Sequence, residues 1–335
     1  MLALLAFGLV AAPPALAPGV MAQLGVRVHP RGPLCGVRRG HSEHPRRGQS
    51  QRARVQGTPR GHRVGGTLDS RRAPIVTDLP AGALVIDLRP AEQFAAGHIP
   101  GAVHLDLWGV SLIDTSDAPL RAFMWMIGHL FALRGVSPDR PVVVYESDSG
   151  MRAARALWFL EYLGHPNASI LDGGLGAWVK EGRPMTTGAV APTPTDWHGN
   201  PDPARLATWP QVVERLGDPA TAIVDTRSDA EHFGETVRAR RGGSIPGAVH
   251  LEWKRNLTPE GRFKSAEDLR AMYGAKGVTP DREVITYCQG GYRAAHTYVA
   301  LRLAGFDRVR NYTGSWKEWG DREDLPIERR QRSRP

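Results

Sequence analysis

The sequence predicts an α/β protein with two similar domains, each built on a mainly parallel β-sheet flanked by helices. Short runs rich in β-branched residues alternate with longer runs of helical pattern, which is typical of parallel sheets. Ordered segments of the first half recur in the second half, as expected for a duplicated domain. The 335 residues are enough for two domains of ordinary size, and a Pro-rich stretch separates the two halves.

The first domain is predicted at residues 73–185. Within it the pattern predicts strands at 84–88 and 142–145 and helices at 120–133 and 153–163. The helical run contains a strongly apolar stretch between Arg121 and Arg134. That stretch is far shorter than a membrane-spanning helix, so we expect a core helix there.

A Pro-rich linker is predicted at 186–204, and the second domain at 205–330. The second domain is expected to hold strands at 222–225 and 284–287 and helices at 209–216, 266–273 and 294–303. Because active loops of parallel sheets lie at the carboxyl ends of strands, we expect the active loop directly after residue 287.

The repeat is clearest around these strands. Residues 134–145 match residues 276–287, and residues 97–105 match residues 243–251. The copies differ at the strand end, where Glu146 stands in the first copy and Cys288 in the second. A carboxylate cannot act as a thiolate and would repel an anion. The first copy is therefore predicted to be a structural partner and the second the catalytic domain.

Cys288 lies where a nucleophile is expected. It follows a buried strand and opens a loop containing Gly290 and Gly291, after which a helical pattern begins. Backbone N–H groups and a helix N-terminus favour negative charge, so the thiol is expected to have a lowered pKa. The alternative is an inert buried cysteine. Arg293, five residues later, favours the nucleophile.

These segments resemble the tandem-domain rhodanese family of thiosulfate and 3-mercaptopyruvate sulfurtransferases. The resemblance covers about residues 73–330 and is carried by five segments: Asp225-x-Arg227, Ser244-Ile245-Pro246-Gly247-Ala248, Gly261-Arg262-Phe263-Lys264-Ser265, the Cys288 loop, and Asn311-Tyr312-Thr313-Gly314-Ser315-Trp316. It implies two rhodanese-like domains, the first inactive, and a sulfur atom carried as a persulfide on Cys288.

The loop after Cys288 is predicted to bind the substrate and the persulfide through its backbone N–H groups. Its residues are Gln289, Gly290, Gly291, Tyr292 and Arg293. Two orientations are open for Arg293, since its side chain either points into the site or braces the loop from outside.

Arg227 is a second candidate for substrate binding. In the resembled family this arginine contacts substrate or is fixed near the catalytic loop, and Asp225 supports the local structure. The alternative is a purely structural pair, because the first domain keeps Asp87 and Arg89 without a nucleophile.

The leading functional prediction is a thiosulfate sulfurtransferase that passes sulfur to cyanide or a thiol. In the resembled family a neutral loop goes with 3-mercaptopyruvate and a cationic loop with thiosulfate. This loop matches neither form, and Arg293 favours thiosulfate. A Cys-loop phosphatase needs its arginine six positions after the cysteine, not five as here. A non-catalytic sulfur carrier would fit the first domain but not the second, which keeps a nucleophile.

The net charge of +9 belongs to the N-terminal tail. Residues 1–72 hold twelve arginines against two acids, whereas the remainder has 31 bases and 32 acids. We therefore expect no nucleic-acid binding by the folded body. The tail is apolar and then Arg-rich, and is expected to be disordered or processed. It is interpreted as an export signal, an RNA-binding tail or, preferably, a gene start placed too far upstream.

The chain has two cysteines, and Cys35 lies in the tail, so a disulfide within the domains is excluded. The sequence shows neither zinc-ligand spacing nor a Gly-rich phosphate loop. The prediction is an enzyme without metal or cofactor, monomeric and not membrane-bound. A cytoplasmic location is favoured, with export as the alternative if the apolar N-terminus is a signal peptide.

Overall fold

The structure, a computed structural model, describes residues 74–330. The predictions made for the tail at 1–72, including Cys35, lie outside the described residues. Both sheets belong to one compact unit of the chain.

The first half forms a five-stranded sheet in the order β1-β5-β4-β2-β3, in which every pairing is parallel. Its elements in chain order are β1 (Ile75–Val76), β2 (Leu84–Asp87), α1 (Ala91–Ala96), β3 (Val103–His104), α2 (Asp117–Ala132), β4 (Val142–Tyr145), α3 (Met151–Tyr162), β5 (Ala168–Leu171) and α4 (Gly174–Lys180).

The second half repeats this arrangement with the order β6-β10-β9-β7-β8, again all parallel. Short 3-10 helices lie at Pro203–Arg205 and Trp253–Asn256. The remaining elements are β6 (Leu206–Ala207), α5 (Trp209–Glu214), β7 (Thr221–Asp225), α6 (Asp229–His232), β8 (Val249–His250), α7 (Ala266–Gly274), β9 (Glu283–Tyr287), α8 (Tyr292–Leu303), β10 (Val309–Tyr312) and α9 (Ser315–Asp321). The predicted α/β class with two parallel sheets is confirmed.

The central strands have the composition of strands buried on both faces. All four residues of β4 and the last four of β9 are buried, and both strands are rich in β-branched residues. Trp316 and Trp319 are buried in the core of the second domain.

Several element boundaries differ from the predictions. Helix α2 begins three residues before position 120, because Pro119 is tolerated in the first turn of a helix. Helix α8 begins at Tyr292, two residues earlier than predicted, because Gly291 serves as its N-cap with a φ of 84°. Residues 77–83, between β1 and β2, contain no helix, whereas α5 fills the corresponding place in the second domain.

The two halves meet through α3 and α8, which pack against each other. Each helix directly follows the loop at the carboxyl end of a central strand, so the Glu146 loop and the Cys288 loop both lie beside the domain interface. The Ser149 N–H donates to the Gly261 carbonyl at 2.9 Å, and His296 Nε2 lies 2.8 Å from the Ser149 carbonyl oxygen. The catalytic loop predicted from the sequence is thus placed between the domains.

Within the described residues, no helix is long and apolar enough to cross a membrane. The same part of the chain holds no group of three or more His, Cys, Asp or Glu side chains that could bind a metal ion.

Candidate active site

Cys288 opens the turn between β9 and α8. Gly291 closes the turn in the left-handed region, and a Cβ there would lie 2.9 Å from the Thr313 carbonyl oxygen. Only glycine satisfies both the conformation and the close approach. The turn therefore brings the cysteine and the first N–H groups of α8 together.

The Cys288 thiol is 1% exposed, and its Sγ accepts the Gly291 N–H at 3.2 Å. Burial alone would raise the pKa of this thiol. The positive charge of Arg293 and the backbone N–H groups of Ala294, Gly290 and Gly291 outweigh burial, so the pKa is lowered. The surroundings therefore favour a thiolate.

The carbonyl oxygens of the loop are turned toward the start of α9. The Trp316 N–H donates to the Cys288 carbonyl at 2.9 Å, and the Lys317 N–H donates to the Gln289 carbonyl at 3.0 Å. Ser315 Oγ accepts the Cys288 N–H at 3.1 Å, and its backbone has an unusual positive φ of 53°. These bonds occupy the loop carbonyls and leave N–H groups for the sulfur.

Arg293 is held in a bidentate ion pair with Glu231, with Nη1–Oε2 and Nη2–Oε1 distances of 2.5 and 2.9 Å. Burial would raise the pKa of Glu231, but the Arg293 pair lowers it to about 2. Ser228 fixes the carboxylate through a capping box at the start of α6. Arg293 therefore acts on Cys288 while its charge is shared with Glu231, an acid that no motif marks in the sequence.

Arg227 and Asp225 form a buried pair beneath the site. Arg227 Nη2 donates to Asp225 Oδ2 at 2.6 Å and to the Gly243 carbonyl at 2.7 Å, and the Tyr287 hydroxyl donates to Asp225 at 2.8 Å. The Arg227 guanidinium lies 4.5 Å from the Trp316 ring centroid. Arg227 is 1% exposed, which places it under the loop and away from solvent.

The first domain repeats the Asp–Arg–Tyr part of this network without a nucleophile, whereas in the second domain His232 Nδ1 also lies 2.8 Å from Asp225 Oδ2. Arg89 Nη2 donates to Asp87 Oδ2 at 2.6 Å and to the Gly97 carbonyl at 2.7 Å, and the Tyr145 hydroxyl donates to Asp87 at 2.6 Å. The Asp–Arg–Tyr contacts are present in both copies and therefore belong to the fold, so they favour the structural alternative for Asp225 and Arg227.

Residues 107–111 of the first domain form one wall of the site. The Tyr292 hydroxyl donates to the Leu107 carbonyl at 2.9 Å, and its ring meets Trp108 edge-on with centroids 5.0 Å apart. A Cβ on Gly290 would meet Ser111 Oγ at 3.9 Å, an ordinary contact distance. This wall comes from a distant part of the sequence, and no motif there marked it.

Gln289 lies at the opposite edge of the loop, where its side-chain amide donates to the Arg238 carbonyl at 2.8 Å. The predicted residues 288–293 are thus contiguous in space, whereas Arg227 and Asp225 lie behind them.

The Rhodanese-like domain family matches the chain twice, at residues 75–181 and 208–322. The chain belongs to this family. The match in tandem confirms the predicted duplication and the predicted resemblance.

Curated relatives carry sulfurtransferase names. The chain is 35% identical over 249 residues to a thiosulfate sulfurtransferase of Azotobacter vinelandii, covering 73% of this chain and 90% of the relative. A sulfur carrier protein, TtuD of Thermus thermophilus, is 37% identical over 250 residues, covering 70% and 86%. These relatives support a sulfurtransferase activity.

The fold also matches that of the anaerobic ergothioneine biosynthesis enzyme from Chlorobium limicola, with a TM-score of 0.66 and 21% identity. That match covers 75% of this chain and 66% of that structure. At this identity the likeness concerns the fold alone.

Proposed function

We propose that the protein is a thiosulfate sulfurtransferase that works through a Cys288 persulfide. The Cys288 thiolate attacks the outer sulfur of thiosulfate, the sulfur–sulfur bond of thiosulfate breaks, and its electron pair leaves with sulfite. Cyanide or a thiolate then attacks the terminal sulfur of the persulfide. Cyanide yields thiocyanate, a thiolate yields a new persulfide, and either reaction returns the Cys288 thiolate.

The observation that carries the proposal is the setting of the Cys288 sulfur. It accepts a backbone N–H at 3.2 Å at the start of α8 and its pKa is lowered despite burial. A persulfide places its negative charge one atom beyond Sγ, where further loop N–H groups can stabilise it. A Cβ added at Gly290 would have Ser111 Oγ as its nearest neighbour, at 3.9 Å, so Gly290 does not crowd the first-domain wall.

The other predicted residues receive supporting roles in this proposal. Arg293 lowers the thiol pKa, and Tyr292 and Gln289 fix the two sides of the loop. Asp225 and Arg227 brace the strand ends beneath it and do not bind the donor.

The first-domain loop cannot take over the reaction. Glu146 stands at the position of Cys288, and its Oε1 accepts the N–H groups of Arg152 and Ala153 at 2.6 and 2.9 Å. The carboxylate therefore fills the N–H cradle in which the second domain would hold sulfur.

A second donor is favoured by one specific observation. Because Glu231 shares the charge of Arg293, the loop is less cationic than its sequence implies. The binding of a monoanionic donor such as 3-mercaptopyruvate would then be weakened less than the binding of the thiosulfate dianion. The 3-mercaptopyruvate reaction is therefore the second candidate function.

Steady-state kinetics with both donors and cyanide as acceptor tests the proposal. We expect thiocyanate formation with a higher kcat/KM for thiosulfate, and loss of that activity in Cys288→Ser. A preference for 3-mercaptopyruvate would select the second candidate. Absence of transfer from both donors would refute the sulfurtransferase assignment itself.

A further inference from the structure

The guanidinium of Arg155 has an unusual setting for a buried charge. Arg155 lies on α3 of the first domain and is 1% exposed. None of its three side-chain nitrogens has a hydrogen-bond acceptor within residues 74–330. The group instead lies 3.9 Å from the ring centroid of Tyr292 and 4.8 Å from that of Phe159. Aromatic faces stabilise a cation, but they do not neutralise it.

An uncompensated buried cation costs several kcal/mol, so its retention indicates an anion nearby. Two ionisable groups whose negative charge would favour the charged form of Arg155 are Tyr292 and Cys288. The Tyr292 hydroxyl is a hydrogen-bond donor to the Leu107 carbonyl at 2.9 Å. The remaining candidate for that anion is the sulfur of Cys288, which belongs to the same loop as Tyr292, the residue whose ring the guanidinium contacts.

We propose that Arg155 is a positioning residue for the sulfur chemistry, a cation by which the first domain stabilises negative sulfur on Cys288 across the domain interface. Both the thiolate and the persulfide carry that negative charge. Arg293 also lowers the thiol pKa, and Arg155 adds to it because the charge of Arg293 is shared with Glu231. The relevance of Arg155 to turnover rests on the proposed sulfur transfer.

Other groups around these two helices support this assignment. Burial lowers the pKa of Arg155 to about 10, so it remains charged at neutral pH. Burial also lowers the pKa of His296 on α8 to about 4, so that ring is neutral. Further along the interface, Arg302 lies 3.9 Å from Glu161, which also accepts the Tyr298 hydroxyl. In this proposal the cations that act on Cys288 are Arg155 and Arg293, the latter paired with Glu231.

The test is the pH dependence of Cys288 alkylation by iodoacetamide, measured in a Cys35→Ser background so that one thiol remains. Arg155→Met removes the charge and keeps an unbranched side chain. We expect it to raise the thiol pKa by about one unit and to slow alkylation at pH 6 about tenfold. Arg155→Lys keeps a cation and should lie between Met and wild type.

Arg205→Met is the matched control, because Arg205 is also buried but its guanidinium lies 3.2 Å from Asp202. This control should lower the melting temperature and leave the thiol pKa unchanged. Arg155→Met should melt close to wild type, because no hydrogen bond from its guanidinium nitrogens within residues 74–330 is lost. If Arg155 were merely structural, Arg155→Met would behave like the control, with a lower melting temperature and an unchanged thiol pKa.

An unchanged thiol pKa in folded Arg155→Met would overturn the inference. So would failure of both Arg155→Met and Arg155→Gln to fold while Arg155→Lys folds, which would make the cation structural. The alkylation readout needs no sulfur donor. If wild type transfers no sulfur but the pKa shift is present, the proposed function fails and the electrostatic role of Arg155 stands.

Discussion

Glu231→Gln tests how the charge of Arg293 is shared. The substitution removes a buried negative charge and keeps an oxygen that can accept one Arg293 hydrogen bond. In the folded protein the pKa of Glu231 falls from 4.5 to about 2. At about 1.36 kcal/mol per pKa unit this corresponds to roughly 3 kcal/mol of stabilisation. Ser228 hydrogen bonds supply part of it, so we expect Glu231→Gln to cost about 2 kcal/mol at pH 7.

The pH dependence of this loss has a fixed direction. Because the Glu231 pKa is lower in the folded state, its contribution is complete above the reference value of 4.5 and disappears as the pH falls toward 2. Urea unfolding of wild type and Glu231→Gln from pH 7 to pH 3 should therefore show a shrinking difference. A difference that is constant or grows on acidification would refute this reasoning.

The same variant should make Cys288 more acidic. Without the carboxylate, the charge of Arg293 acts on the sulfur unshared, and the alkylation profile should move to lower pH. Glu283→Gln is the matched control, since Glu283 pairs with Arg215 and Arg310 at 3.0 and 2.8 Å. It should lower stability without moving the alkylation profile. An upward shift in Glu231→Gln would mean that Glu231 mainly holds Arg293 in place.

Three further predictions follow from the loops. Arg293→Ala should lower kcat/KM for thiosulfate by about 30- to 150-fold, corresponding to roughly 2–3 kcal/mol, and should lower it less for 3-mercaptopyruvate. Equal losses in steady-state kinetics would show that Arg293 only braces the loop. Gly291→Ala should destabilise the protein by about 1–2 kcal/mol in urea unfolding and reduce sulfur transfer, because its φ is 84° and its Cβ would crowd Thr313. Unchanged stability would contradict the close approach. Glu146→Cys should not gain a second persulfide, since its loop is one residue longer and carries Asp148. A persulfide on that thiol in peptide mass spectrometry, at a yield comparable to Cys288, would contradict this.

The parts of the fold that the sequence revealed are those with local signals. Strands such as β4 and β9 are continuous runs of buried β-branched residues, and the repeat made each copy evidence for the other. Two-residue strands such as β3 and β8 are too short to show a period of two, so the pattern did not predict them. Their pairing depends on neighbouring strands far away in the chain.

The residues of the site also divide into those with a local signal in the sequence and those without one. Cys288 and its loop are contiguous in the sequence, and strand, glycines and helix start identified them. Glu231 and Arg155 come from other elements, and they meet the loop residues Arg293 and Tyr292 only on folding. The role of Glu146 also needed the structure, because no local pattern in the sequence shows that its carboxylate accepts the N–H groups of Arg152 and Ala153.

The central claim is that Cys288 carries the transferred sulfur. Intact-mass and peptide mass spectrometry of the full-length protein, before and after thiosulfate, tests it directly. The account predicts a gain of one sulfur atom on Cys288, its release as thiocyanate when cyanide is added, and no gain in Cys288→Ser. Sulfur found on Cys35 alone, or sustained thiocyanate formation by Cys288→Ser, would contradict it.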